Sequence, residues 1–154
     1  MAMRLPELRD QLSAIEPTDS TYEGIGVSEV DVLRKLLHDQ EPWLAARAVH
    51  ALSRIDAQSA HAALLDASQS SRPEVRIAVA TSVGALPPSL SDQLLSRLLS
   101  DSDILVRKFA VKSASDRNGV RIKERVAEIA NTEVYPALRR IAEKKIGSLL
   151  GDTH

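Results

Sequence analysis

The side chains best suited to metal binding are four histidines, and their spacing does not suit that role. The closest pair, His50 and His61, is eleven positions apart, and the other two are His38 and His154. Zinc sites take three or four ligands and usually include a closely spaced pair. The chain has no cysteine, which rules out thiolate ligands and a disulfide framework. We therefore predict neither a metal nor another cofactor.

Other combinations of reactive side chains also have simpler interpretations. Asp101 and Asp103 stand at the start of a predicted helix, where free backbone N–H groups and the helix dipole stabilise carboxylates. Residues 24–26, Gly-Ile-Gly, lack the preceding strand and the Lys-Ser/Thr of a phosphate loop. No serine has a histidine and an acid plausibly placed around it. The sequence therefore predicts a protein that is not an enzyme.

Composition indicates one ordinary globular domain over residues 1–154. Hydrophobic residues make up 44% of the chain, aromatic residues 3%, and the net charge is −1. These values argue against disorder and against a generally basic nucleic-acid binder. The N-terminus turns polar within ten residues and no apolar run approaches the roughly 20 residues of a membrane span. We therefore expect a soluble cytoplasmic protein.

An internal repeat of 31 or 32 residues organises most of the chain. One row of equivalent apolar positions is Leu44, Val75, Val106 and Leu138, and another is Leu33, Leu64, Leu95 and Val126. A further row three positions after the second lies on the same face of a helix. Each unit therefore predicts a helix pair whose apolar stripes are buried by neighbouring units.

Prolines and polar residues mark the ends of about nine predicted helices. Pro42, Pro73 and Pro136 suit a first helical turn, where the missing N–H would have no partner. Ser28 with Asp31, and Ser89 with Asp92, resemble capping boxes. The predicted helices are 5–15, 28–38, 42–54, 58–69, 73–86, 90–100, 103–115, 119–131 and 135–150.

Residues 73–84 and 138–147 resemble the first helix of a HEAT repeat, in the short bacterial variety found in phycobilisome-lyase-like repeats. The resemblance covers residues 28–150 and leaves residues 1–27 as an N-terminal cap helix and loop. It implies an all-α, right-handed α-solenoid of about four helix pairs. It also implies that the second helices line a concave face and the first helices a convex face.

An arginine near the start of each first helix belongs to the same resemblance. In HEAT repeats this arginine commonly bonds an acidic residue of the preceding turn. Asp101 stands six positions before Arg107, whereas Ser70 stands six before Arg76, and Ala45 replaces the first arginine. The resemblance therefore predicts an incomplete ladder of arginine–acid contacts.

Charge is distributed unevenly along the chain. Residues 104–147 hold eleven Lys and Arg against five acids, whereas residues 1–103 hold nine against fifteen. On the convex face, the repeat register predicts a cationic patch with four corners: Lys108, Lys112, Arg140 and Lys144. On the concave face, it predicts a row of alternating ion pairs: Lys35, Asp66, Arg97 and Glu128.

Two aromatic residues of the N-terminal part complete the site predictions. The loop of residues 16–27 is expected to cap the end of the solenoid through Tyr22 and Ile25, the alternative being that it grips a partner. Trp43 is expected to pack beneath this loop rather than to anchor a partner.

These features favour a non-catalytic adaptor or scaffold that binds another protein, with the cationic patch as the candidate contact. The HEAT resemblance implies one alternative, a bilin-lyase-like or phycobiliprotein-associated role. The basic half of the chain suggests another, weak binding of nucleic acid or a different polyanion, for which steep salt dependence would be the mark. The oligomeric state stays open.

Overall fold

The computed structural model describes residues 2–14 and 17–150. Over these residues the chain forms nine α-helices and no strand, which confirms the all-α prediction. The helices are α1 (Leu5–Leu12), α2 (Val30–Leu36), α3 (Pro42–Ser53), α4 (Gln58–Ala67), α5 (Pro73–Ser82), α6 (Pro88–Leu98), α7 (Ile104–Ser113), α8 (Val120–Thr132) and α9 (Pro136–Leu150).

The first helices of the units begin as the sequence predicts. Pro42, Pro73 and Pro136 are the first residues of α3, α5 and α9. Helix α7 has no such proline and begins instead after Asp103, whose carboxylate accepts the N–H groups of Leu105 at 2.8 Å and Val106 at 3.2 Å. Asp103 is therefore a helix cap, because its oxygen satisfies two N–H groups that have no partner within the helix.

Both predicted capping boxes are wrong, because Glu29 takes the place of Asp31 and Asp92 binds at the start of a different helix. The buried carboxylate of Glu29, rather than Asp31, accepts the N–H of Gly26 at 2.7 Å. Asp92 does not close a box with Ser89; it lies beside the start of α8 and accepts the N–H of Gly119 at 3.1 Å. A Cβ on Gly119 would lie 2.9 Å from that carboxylate, which explains the glycine.

The helices form two layers. Helices α3, α5, α7 and α9 pack side by side in chain order and form the first layer. Helices α2, α4, α6 and α8 form the second layer, in which α2 contacts α4 and α6 contacts α8. All eight residues of the two predicted apolar rows are buried between these layers. The packing is that of a solenoid, since each unit buries the stripe of its neighbours.

The segment between α1 and α2 closes the N-terminal end. Tyr22 is buried, with its ring 4.8 Å from that of His50 and the guanidinium of Arg54 5.2 Å from its centre. The side-chain amide of Gln11 donates to the backbone oxygens of Thr21 and Glu23. Over residues 17–27, the part of this loop that the structure describes, Tyr22 therefore packs against the end of the helix array.

Turn chemistry at Gly24 accounts for the glycine-rich stretch. Gly24 has a φ of +76°, a left-handed conformation that glycine adopts without strain. This agrees with the interpretation of residues 24–26 as a turn.

No helix described in the structure is long and apolar enough to cross a bilayer.

Candidate functional site

The arginines near the starts of the first-layer helices face inward and bind acids. Arg76 on α5 donates to both carboxylate oxygens of Asp101, at 2.8 and 3.0 Å. It also donates to the backbone oxygen of Ser70 at 2.8 Å. The two charged side chains are only 13% and 10% exposed, so this bidentate pair is largely shielded from water.

The same arrangement repeats one unit later. Arg107 on α7 donates to both carboxylate oxygens of Glu133, at 3.1 and 3.2 Å, and to the backbone oxygen of Asp101 at 2.9 Å. Arg139 on α9 donates to the backbone oxygen of Glu133 at 3.1 Å. We call this chain of contacts the ladder: Arg76, Asp101, Arg107, Glu133 and Arg139.

The ladder corrects the expected contact. Each arginine does meet the residue six positions before it, but through that residue's backbone oxygen. The carboxylate comes from the loop before the next first-layer helix, 25 or 26 residues later. Ala45 is fully buried where the first unit would need an arginine, which limits the ladder to the later units.

The four residues of the predicted cationic patch lie on two adjacent helices of the first layer. Lys108 and Lys112 are on α7, Arg140 and Lys144 are on α9, and these helices contact each other. Three of the four are exposed, and Lys108 is half-buried with its ammonium 5.3 Å from the centre of the Phe109 ring. We call these four residues the basic patch.

The basic patch carries positive charge that nearby acids do not neutralise. Over residues 2–14 and 17–150, none of its four side chains forms an ion pair with a carboxylate. Glu143, the acid nearest in sequence, is directed at Arg139, with an oxygen 4.0 Å from its Nε. Four cations on neighbouring helices about 8–10 Å apart form a local positive field.

Other cations of the C-terminal half serve the fold. Lys145 donates to the backbone oxygens of Lys112 and Ala114 at the end of α7, and burial lowers the pKa of its ammonium group. Arg117 donates to the backbone oxygens of Gly84 and Leu86 at the end of α5. The net charge of this half therefore overstates the charge available to a ligand.

The predicted row of ion pairs on the second layer is wrong. Asp66 pairs at 2.8 Å with Arg34, the residue before Lys35. Arg97 donates to the hydroxyl of Ser68, and Glu128 pairs with Arg125 of its own helix. Successive residues of a helix point about 100° apart, so a one-residue difference selects another face.

A groove between α3 and α5 is the site feature that the sequence did not predict. It is open to solvent and has a volume of about 300 Å³. Its lining comprises Trp43, Ala46, Arg47 and His50 from α3 and Glu74, Ile77, Ala78, Thr81 and Ser82 from α5. We call it the α3–α5 groove. It opens on the same layer as the basic patch.

Trp43 forms one wall of this groove and is 44% exposed. Its indole N–H donates to Glu41 at 3.2 Å, and the guanidinium of Arg47 lies 5.1 Å from the centre of its ring. The prediction that Trp43 packs beneath the N-terminal loop is wrong, because Tyr22 of that loop meets His50 and Arg54, at the other end of α3.

The described histidines are dispersed. Burial, aided by the positive charge of Arg54, lowers the pKa of His50. Over residues 2–14 and 17–150, no group of three histidine, aspartate or glutamate side chains is arranged to hold a metal ion. His154 lies outside the described residues.

Comparison with known families agrees with this repeat architecture. Residues 30–93, from α2 into α6, match the family model for HEAT repeats. No match to a curated protein was found for the chain. Residues 30–93 are therefore similar to HEAT repeats, and helices α7 to α9 continue the same two-layer packing.

Proposed function

We propose that the protein is a non-catalytic interaction module that binds another protein through the basic patch. HEAT repeats generally mediate protein–protein interaction, which supports the class of function. The observation that carries the site is the contrast in pairing: the patch cations have no carboxylate partner among the described residues, whereas other arginines of the fold do.

Unpaired surface charge of this kind acts mainly on encounter and selectivity. A positive patch attracts an acidic partner surface and raises the association rate, and it disfavours basic partners. The complementary surface of the partner is therefore acidic. Specific affinity needs apolar contacts as well, because exposed charge pairs contribute little each.

A charge-reversal experiment tests this proposal. The patch variant replaces the three exposed corners of the basic patch: Lys112→Glu, Arg140→Glu and Lys144→Glu. The control variant makes the same charge change on the second layer: Lys35→Glu, Arg121→Glu and Lys123→Glu. Each immobilised protein is incubated with lysate of the source cells, and the bound proteins are identified by mass spectrometry.

We expect a protein that binds wild type and the control variant and is lost from the patch variant, with both variants retaining the wild-type helical circular dichroism. Retention of the same proteins by all three would overturn the assignment of the patch. Retention of nucleic acid alone, released as salt rises, would favour the polyanion alternative. The bilin-associated alternative rests on the sequence resemblance and stays a prediction.

A further inference from the structure

The α3–α5 groove and the basic patch occupy the same rows of the repeat. One row across the first layer contains Ala46, Ile77, Lys108 and Arg140, and a second row contains His50, Thr81, Lys112 and Lys144. Since α3, α5, α7 and α9 pack side by side, each row crosses the layer from one unit to the next. Along both rows the side chains change from apolar or neutral to cationic.

We propose that the groove and the patch are one binding surface for an acidic segment of a partner protein that crosses the first-layer helices. An apolar side chain of the segment enters the α3–α5 groove between Trp43 and Ile77. Its carboxylates lie over the basic patch. This inference rests on the proposed function and specifies the chemistry of the partner.

The groove offers the kind of anchor that protein interfaces use. Trp43 presents an exposed aromatic ring on one wall, and Ile77 and Ala78 supply apolar surface on the other. The guanidinium of Arg47 lies beside the Trp43 ring and is held there by the backbone oxygens of Leu12 and Ala14. Tryptophan and arginine are enriched among residues that dominate binding energy, particularly where they line a pocket. A volume of about 300 Å³ is at the small end of ligand pockets and suits a side chain rather than a large cofactor.

Charge fixes the direction of the segment. Glu41 lies beside Trp43, and Glu74 lines the groove. At this end the two carboxylates therefore offset the positive charge of Arg47, so an acidic chain gains little there. The cations of α7 and α9 attract it at the other end. The apolar residue is therefore placed toward α3 and the acidic residues toward α9.

Helix spacing sets the length of the segment. The centre of the groove, between α3 and α5, is two helix spacings from the centre of the patch, between α7 and α9, or about 16–20 Å. An extended chain advances about 3.3 Å per residue. The apolar residue and the middle of the acidic cluster are therefore separated by about five or six residues.

A nucleic acid fits this surface less well than a peptide does. Phosphates would gain from the basic patch, but at the groove they would meet the apolar surface of Ile77 and Ala78 and the carboxylate of Glu74. Binding to single strands relies on several aromatic platforms, whereas Trp43 is the only Trp, Tyr or Phe side chain that lines the groove. The combination of an apolar cleft with a separate cationic area matches a segment that carries both an apolar and an acidic part.

Selection from a library of random 12-residue peptides displayed on phage tests the inference. We expect selected peptides to share an aliphatic or aromatic residue followed or preceded at about five or six positions by two or more acids. The strongest peptide without tryptophan is then synthesised with a fluorescent label. Its affinity is measured by anisotropy for wild type, the patch variant and the control variant.

Trp43 reports directly on the groove, because it is the single tryptophan of the chain. Binding in the groove shifts its emission to shorter wavelength and protects it from acrylamide quenching. We expect Ile77→Gln, on the groove wall, to weaken peptide binding about tenfold, as expected for a contact that anchors an interface. Ala46→Gln fills the groove from α3 and gives a second test should Ile77→Gln disturb folding.

The outcomes separate this inference from the proposed function. One contrary result is a peptide that binds the patch variant more weakly than wild type, yet binds both groove variants as tightly as wild type and leaves Trp43 emission unchanged. That result would overturn the role of the groove and keep the role of the basic patch. Failure to select any acidic peptide would also overturn the inference. So would an oligonucleotide that displaces the peptide and binds the Ile77→Gln variant as tightly as wild type. Partner loss from the patch variant in lysate is independent of all these results.

Discussion

Helix α7 carries two kinds of cation that differ in what they face. Arg107 points inward, is bound to Glu133 by both carboxylate oxygens and is only 14% exposed. Lys112, five positions later, is exposed and forms no ion pair within the described part of the chain. Equal charges on one helix therefore serve the fold in one case and are available to a partner in the other.

The contrast shows that the number of charged residues in a segment does not give the charge that a partner can reach. Arg76, Arg107 and Lys145 all add to the positive charge of the chain, yet each is committed to oxygens of a neighbouring unit. Changes to the inward cations and their acids should alter stability. Changes to the outward cations should alter binding and leave stability intact.

The largest expected effect is at the acid that joins two arginines. Asp101→Ala removes the carboxylate from Arg76 and leaves a largely buried guanidinium without its ion-pair partner. Breaking a buried pair in this way costs about 3–5 kcal/mol. The free energy of unfolding, from urea titration, should fall by this amount. Asp56→Ala, at a carboxylate that is 98% exposed, is the control and should unfold like wild type.

Adding an arginine to the first unit should lower the free energy of unfolding, but by less than Asp101→Ala does. Ala45→Arg restores the arginine of the repeat in the first unit, but Ala45 is fully buried in a packed core. Overpacking of this kind costs about 1–3 kcal/mol. Urea titration should show a lower midpoint. A higher midpoint would mean that the first unit can accommodate the same arginine contact as the later units.

The patch variant should leave stability almost unchanged, by less than about 0.5 kcal/mol, because its three residues are exposed surface positions. Reversing Lys112 also removes a small repulsion with Lys108 four positions earlier, whereas reversing both Arg140 and Lys144 leaves that pair like-charged. Thermal and urea unfolding of wild type and the patch variant should therefore coincide. A large loss of stability would show that the outward cations are structural, and the contrast within α7 would disappear.

The smallest effect concerns His50, which holds the same repeat position as Lys112 and Lys144. Burial and Arg54 lower its pKa below the ordinary value of 6.5. The unfolded chain therefore takes up the proton first as pH falls, so stability declines from near neutral pH down to the folded pKa. His50→Gln should flatten this decline between pH 7 and pH 5, measured by urea titration at each pH. An unchanged slope would contradict the assignment.

Much of the fold was predictable because the 31-residue register repeats both apolar positions and helix-starting prolines. Leu44 and Leu138 could be placed in the core from spacing alone, and both are buried. The cap formed by Tyr22 was also predictable, since the end of a repeat array needs cover. The basic patch followed from the same register, which put its four residues on two adjacent helices.

Contacts between units were less predictable, because they depend on small rotations and on where loops pass. The partner of Asp66 is Arg34 rather than Lys35, a one-residue difference that spacing cannot resolve. The acid that binds Arg76 stands 25 positions later, beyond any local pattern. Trp43 is exposed because the N-terminal loop crosses the far end of α3. The register did contain a signal for the groove, since Ala46 and Ile77 share a row with Lys108.

The ladder has a consequence for how the molecule opens. Asp101 contacts both Arg76 and Arg107, and Glu133 contacts both Arg107 and Arg139, so each acid joins two consecutive units. When such an acid moves away, both of the units that it joins lose a contact at the same time. In native-state hydrogen exchange, the amides of α5, α7 and α9 should therefore exchange through one common opening, while α1 exchanges through an earlier and separate one.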